Sequence, residues 1–121
     1  MRLTLFFALL FSTVLFAQQN TTTKELIKEG DLTKYTEYYK DGSIAQTGFF
    51  KNNQLHGQWI SYDQLGNKRS MGNYKNGKKT SKWIIWSKTN LIEVEYVNNT
   101  ITKTVVWDRS DVLANVESLT N

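Results

Sequence analysis

The sequence predicts an all-β fold, a sheet of β-hairpin repeats with a period near 24. Three observations carry this. Aromatic residues, turns and glycines recur in phase, as Trp59 does at Trp83 and Gly48 at Gly72. The segments between turns alternate apolar and polar residues, the period-two pattern of a half-buried strand. The 121 residues include no Pro, which suits a chain made almost wholly of ladder hydrogen bonds, because each Pro deletes a donor.

The N-terminal segment, residues 1–17, is set apart. Arg2 is the only charge before Lys24, and Leu3 to Ala17 form a largely apolar run ahead of Gln18-Gln19-Asn20. A positive start, a short apolar core and a small residue before a polar stretch predict a secretory signal peptide, residues 1–17, cut after Ala17. A membrane anchor would want roughly 18 or more apolar residues. Removing 17 of the 121 residues leaves 104, with 14 basic groups against 11 acidic ones, a balance of +3. A chain of that size folds as one domain without cross-links.

After the signal comes a polar lead-in, residues 18–26, and Lys24 to Glu29, which runs past its end, suits either helix or strand. The repeats occupy residues 27–107 in about four units. Tyr35-Thr-Glu-Tyr38 precedes Asp41-Gly42; Trp59-Ile-Ser-Tyr62 precedes Leu65-Gly66-Asn67; Trp83-Ile-Ile-Trp86 precedes Thr89-Asn90. Phe50 recurs as Tyr74, and a fourth copy follows at a shorter interval, where Tyr96-Val-Asn98-Asn99 repeats Tyr74-Lys-Asn76-Gly77. Asn76-Gly77 favours a type I′ turn, whose two central residues need positive φ; Asn52-Asn53 and Asn98-Asn99 are weaker versions.

Ile92, Val94 and Tyr96 share a strand face, which projects back onto Ser70, Gly72 and Tyr74, then Gln46, Gly48 and Phe50. A glycine has no side chain to pack, so a cross-strand aromatic fits over it. Trp59 and Trp83 are the candidates. Residues 108–121 form a C-terminal cap or tail, with Ser110 placed to N-cap a short helix through Val112, Leu113 and Val116 over an open end of the sheet.

The phrase Phe50-Lys-Asn-Asn53-Gln-Leu-His56-Gly57-Gln-Trp59-Ile-Ser-Tyr62-Asp-Gln-Leu-Gly66, and its echo Tyr74-Lys-Asn-Gly77-Lys-Lys with Lys82-Trp83-Ile84, resemble the bacterial MORN-like repeat, which includes chains labelled as YwqK-family antitoxins. The resemblance covers residues 27–107 and is best over 48–90. It implies an elongated meandering antiparallel sheet with one repeat per hairpin, often paired with or docked on a partner, and no shared catalytic residues. Gly48, Gly57, Trp59, Tyr62, Gly66, Gly72, Tyr74 and Gly77 are the structural positions of the repeat. The chain departs from the pattern at Ser81 and Asn90, which replace the glycines of the preceding unit, and the fourth copy lacks the Trp-Ile-x-Tyr motif.

The same residues narrow the chemistry. Without Cys there is no disulfide, thiolate nucleophile or Cys-bound metal, and one His excludes every His-pair site. His56 reads as a loop position beside a turn, without the oriented partner that acid–base work requires. Glu93 and Glu95 share a face at period two, as do neighbours on any solvated strand beside basic residues, and Asp108 with Asp111 is no more specific. No catalytic, cofactor-binding or metal residue is assigned, and no cofactor.

Charge is more telling. Between Asn67 and Lys88 stand Lys68, Arg69, Lys75, Lys78, Lys79, Lys82 and Lys88 with no acid among them, interleaved with Tyr74, Trp83 and Trp86. Lys75, Lys78, Lys79, Lys82, Trp83 and Trp86 form the candidate binding surface, toward anionic lipid or polysaccharide, or a protein partner. Expected export argues against nucleic acid, and no transmembrane segment is expected in the mature chain. In Trp83-Ile84-Ile85-Trp86 both strand faces are apolar, which points to a partner or to self-association through sheet faces or edges. The expected function is an exported, non-enzymatic, protein- or envelope-binding module in the periplasm, cell envelope or extracellular space. An antitoxin or immunity-like protein is the alternative, and an enzyme of unknown reaction comes third.

Overall fold

The computed structural model describes residues 21–109, so the signal segment and the helix expected from Ser110 lie outside the described residues. Eight strands follow one another: β1 (Thr21–Glu29), β2 (Leu32–Tyr39), β3 (Ile44–Lys51), β4 (Gln54–Tyr62), β5 (Lys68–Lys75), β6 (Lys78–Trp86), β7 (Asn90–Val97) and β8 (Thr100–Asp108). They form one open antiparallel sheet in the order of the sequence. The sheet reaches further than the repeat boundaries 27–107. Thr21 to Leu26, at the end of the lead-in, is strand and pairs with β2, Thr21 with Tyr39 and Leu26 with Tyr35.

The short turns behave as their residues dictate. Asn52 and Asn53, Asn76 and Gly77, and Asn98 and Asn99 all take positive φ. Successive hairpins are stitched together at this end. The amide of Gly77 donates to the carbonyl of Leu55 (3.1 Å), and that of Asn99 to the carbonyl of Lys79 (2.9 Å), while the Asn99 side-chain oxygen accepts from the Lys79 amide (2.7 Å).

At the other end the turns are carboxylate-bound. Asp41 accepts from the Ser43 amide and hydroxyl, and Asp63 from the amides of Leu65 and Asn67. The Tyr39–Ser43 and Asp63–Asn67 loops close with the same backbone bond, amide 39 to carbonyl 43 and amide 63 to carbonyl 67. The third loop closes from Ser87 to Asn90, one residue sooner. Asn90 therefore occupies the place of Asn67, and the residue removed is the positive-φ glycine. A one-residue irregularity also interrupts the β4–β5 ladder between Ser61 and Tyr62, whereas β6 and β7 pair without a break. One turn residue and one bulge residue together account for the shortened last period.

A larger irregularity builds the core. In β3–β4, Thr47 pairs with Ile60 and Phe49 with His56, so two steps on one strand oppose four on the other. β5–β6 repeats this between Met71–Ile84 and Asn73–Thr80. The long side turns through a residue of positive φ, Gly57 in the first case and Ser81 in the second. Each bulge swings a tryptophan flat onto the opposing glycine, Trp59 over Gly48 and Trp83 over Gly72. The indole N–H of each donates to the carbonyl beside the bulge, at Phe49 (3.1 Å) and Asn73 (3.2 Å).

A ladder of rings grows from these two. Trp59 lies 5.6 Å from Tyr35 and meets Phe50 edge-on at 5.4 Å; Tyr74 stands edge-on between Trp59 (6.1 Å) and Trp83 (5.1 Å); Tyr96 closes the row against Trp83 at 6.1 Å. Edge-on pairs contribute about 0.5–1.5 kcal/mol each beyond area burial. Trp59, Trp83 and Val94 are the buried centre, with exposures of 8, 6 and 5%. Val94 replaces the glycine at the last position of the row.

Gly72→Ala or Gly48→Ala drives a Cβ into an indole ring at well under 3.0 Å and is expected to cost about 2–3 kcal/mol. Gly66→Ala, where nothing lies within 4 Å and only φ is unfavourable, costs about 1 kcal/mol. Urea denaturation of the three variants checks this order. Ser81→Gly removes left-handed strain and is expected to gain about 0.5–1 kcal/mol, a Tm rise of roughly 3–6 °C by calorimetry.

Candidate functional site

The ring ladder occupies one face of the sheet, here called the tryptophan face. Alternation places Thr36, Thr47, Ile60, Met71 and Ile84 on the opposite face, where Tyr38, Tyr62 and Trp86 form a second row at the repeat period. Leu91 and Trp107 continue that row, paired across β7 and β8. Tyr38, Tyr62 and Trp86 are half-buried, and Trp107 is 55% exposed. The Tyr38 hydroxyl donates to Glu25 at 2.8 Å.

The sequence-predicted residues are dispersed over this frame. Trp83 is buried on the tryptophan face, while Trp86, three positions on, belongs to the opposite one. Lys79 lies over the rings of Trp83 and Tyr96 at 5.1 and 5.3 Å, a cation–π arrangement on the tryptophan face. Lys82, on the opposite face, pairs with Glu93 at 3.0 Å, and that partner raises its pKa. Lys75 and Lys78 flank the Asn76-Gly77 turn at one end of the sheet. The six do not form one surface.

Two concave regions lie at opposite ends. Beside the stitched turns, Lys51, Asn52, Gln54, Leu55, His56, Lys75 and Asn76 line a hollow of about 320 Å³. His56 belongs to β4 rather than to a loop, since the Asn52-Asn53 turn takes only two residues and the strand resumes at Gln54; its cross-strand neighbour is Phe49. Among the described residues no three His, Asp or Glu side chains gather as metal ligands. Glu93 and Glu95 lie in a charge ladder with Lys82 and Lys103 across the neighbouring strands.

The larger region is an open groove of about 800 Å³ where the Asp63–Asn67 and Ser87–Asn90 turns meet the end of β8. Lys68, Arg69, Lys88 and Arg109 frame it and Trp86 lines it. Arg109 arrives there because its amide donates to the Thr89 carbonyl at 2.6 Å. The acid of the groove, Asp63, is occupied by the turn: the Asn67 amide above all, with help from Leu65 and Arg69, holds its carboxyl below the usual range. Four cations around an indole can hold an anionic group against an apolar plate. In the sequence, Lys68, Arg69 and Lys88 stand out only as part of a charge run. Arg109, far from all three along the chain, carries no signal of its own.

No family model, curated protein or solved structure matches this chain. Among the described residues no helix is long and apolar enough to cross a membrane.

The phenols of the ring ladder set an alkaline limit. Burial, then Tyr96, pushes the Tyr74 hydroxyl above its ordinary value of 10.0, and burial followed by Glu37 raises Tyr35. A phenol with a raised folded pKa loses its proton first in the unfolded chain. Stability is therefore whole below pH 10 and falls as pH rises past it. Tyr74→Phe is expected to flatten this decline between about pH 9 and 11, read from urea midpoints.

Proposed function

We propose that this chain is an exported, non-enzymatic binding module of the MORN-like repeat type that works at the cell envelope, with the groove around Trp86 as its contact for an anionic surface. The observation that carries this reading is the convergence of Lys68, Arg69, Lys88 and Arg109 on one aromatic side chain, while the carboxylate beside them is engaged by its own turn. The signal-like segment, residues 1–17, supports a working place among anionic lipids and acidic polysaccharides. Lysine and arginine on turns attract a charged layer without requiring an enclosed cavity.

A protein partner is the second reading, carried by the row Tyr38, Tyr62, Trp86 and Trp107, an aromatic strip on the face that lacks the ring ladder. An antitoxin or immunity role would use that strip.

Cosedimentation tests the first reading. The chain from Gln18 to Asn121 is expected to pellet with phosphatidylglycerol vesicles, to be released by salt, and to ignore phosphatidylcholine. The triple variant Lys68→Ser/Arg69→Ser/Lys88→Ser loses about tenfold in affinity, roughly 1.4 kcal/mol, whereas Lys75→Ser/Lys78→Ser at the far end loses less. Equal binding to both lipids, or equal losses in both variants, overturns the groove as the contact.

A further inference from the structure

The two edges of the sheet are built differently. β1 carries Lys24, Glu25, Lys28 and Glu29, charges on both of its faces, the usual protection of an open edge. β8, Thr-Ile-Thr-Lys-Thr-Val-Val-Trp-Asp, has Lys103 as its only charge before the terminal Asp108. Ile101, Val106 and Trp107 are each more than half exposed on it. It is a long, β-branched, apolar edge whose outer side has no neighbour in the described sheet.

We propose that β8 pairs with β8 of a second copy of this chain, antiparallel and about a two-fold axis at Val105. The segment Lys103-Thr104-Val105-Val106-Trp107 is self-complementary in that register. Val105 meets Val105 of the second copy, Thr104 meets Val106, and Lys103 meets Trp107, each pair on a common face because positions two apart share a face. The contacts are those the sheet already uses. Lys103 is set against an indole as Lys79 is set against Trp83, and the Thr104–Val106 pair extends the row of Ile92 and Val94 on the tryptophan face.

The irregularity between Glu95 and Tyr96, which leaves Thr102 out of the ladder register, limits the regular run on one side, and Asp108 ends it on the other. An isologous pairing of this kind closes at two chains, with the charged β1 edges outermost. Pairing of β8 with β1 would instead continue without limit. The proposal is independent of the anionic contact, which lies on side chains around Trp86 rather than on the outer backbone edge.

Sedimentation equilibrium of the chain from Gln18 to Asn121, which keeps every described strand, tests it. The expected result is a monomer–dimer equilibrium that stops at the dimer. Val106→Lys weakens it at least tenfold, and Thr104→Lys does the same from the opposing position, each with its β spectrum intact by circular dichroism. Because residues 104 and 106 face each other across the axis, the double variant Thr104→Lys/Val106→Glu regains the dimer. Thr104 and Val106 are both exposed, so one variant reads the edge if the other fails to fold. A monomer at every concentration overturns the proposal. A dimer indifferent to both single variants, which would use a sheet face, also overturns it, and so does open-ended polymer.

Discussion

Everything in this sheet depends on a tryptophan lying flat over a glycine. Among the described residues no second sheet or helix buries the apolar face of this single layer, so its own side chains cover the backbone. An indole is large enough to do that only if the residue beneath it has no Cβ. Gly48 and Gly72 supply the space, and the left-handed residues Gly57 and Ser81 supply the extra strand length that lets Trp59 and Trp83 reach it. The indole N–H then satisfies a carbonyl at the bulge, so the distortion leaves no lost hydrogen bond at that point. In the last copy, which lacks the motif tryptophan, the glycine position carries a side chain, Val94, which fills the same layer itself.

The stacked glycines and tryptophans are legible in the sequence, because both elements repeat at one period and alternation assigns them to one face. The shortened last period is visible there too, but without its cause. A missing turn residue and a missing bulge residue look alike in a sequence, and only the pairing of Ser87 with Asn90 and the unbroken β6–β7 ladder separate them. Ser81 shows the opposite case. It departs from the repeat in residue type yet keeps the conformation, since the seating of Trp83, two residues on, over Gly72 and the neighbouring ladder impose positive φ on it. Local preference yields there to tertiary packing.

The candidate site is harder to read, for a geometric reason. Closeness along a strand separates side chains rather than gathering them. Trp83 and Trp86 differ by an odd number of positions and so take opposite faces, and Lys75 and Lys88 belong to turns at opposite ends of β6. Surface clusters in a meander form between turns one repeat apart and at the strand that ends beside them. The groove of Lys68, Arg69, Trp86, Lys88 and Arg109 has that origin, with Arg109 held in place by a backbone bond to Thr89. Summing charge over a window finds basic segments but not which end of the sheet each charge occupies.

The ring ladder also ranks the hairpins. Trp59, Tyr74 and Trp83 fasten β3 to β6, whereas the outer strands contribute mainly Tyr35 and Tyr96 to the row. In a chain whose units touch only their neighbours, stability is a sum of local terms. The middle pair of hairpins is therefore the rigid part, and β1 and β8 are drawn from the weaker end of the scale. β1 is exposed along its described length from Thr23, and β8 is exposed except at Val105, so each has half of its backbone ladder and little side-chain burial. Charge alone keeps such an edge soluble, which is the arrangement at β1. At β8 that protection is absent, since Lys103 is its only charge before Asp108. The repeat that builds the core breaks at the shortened third loop, at the end of β8 beside Arg109 and at the outer edge of β8, and the proposed contacts lie at those breaks.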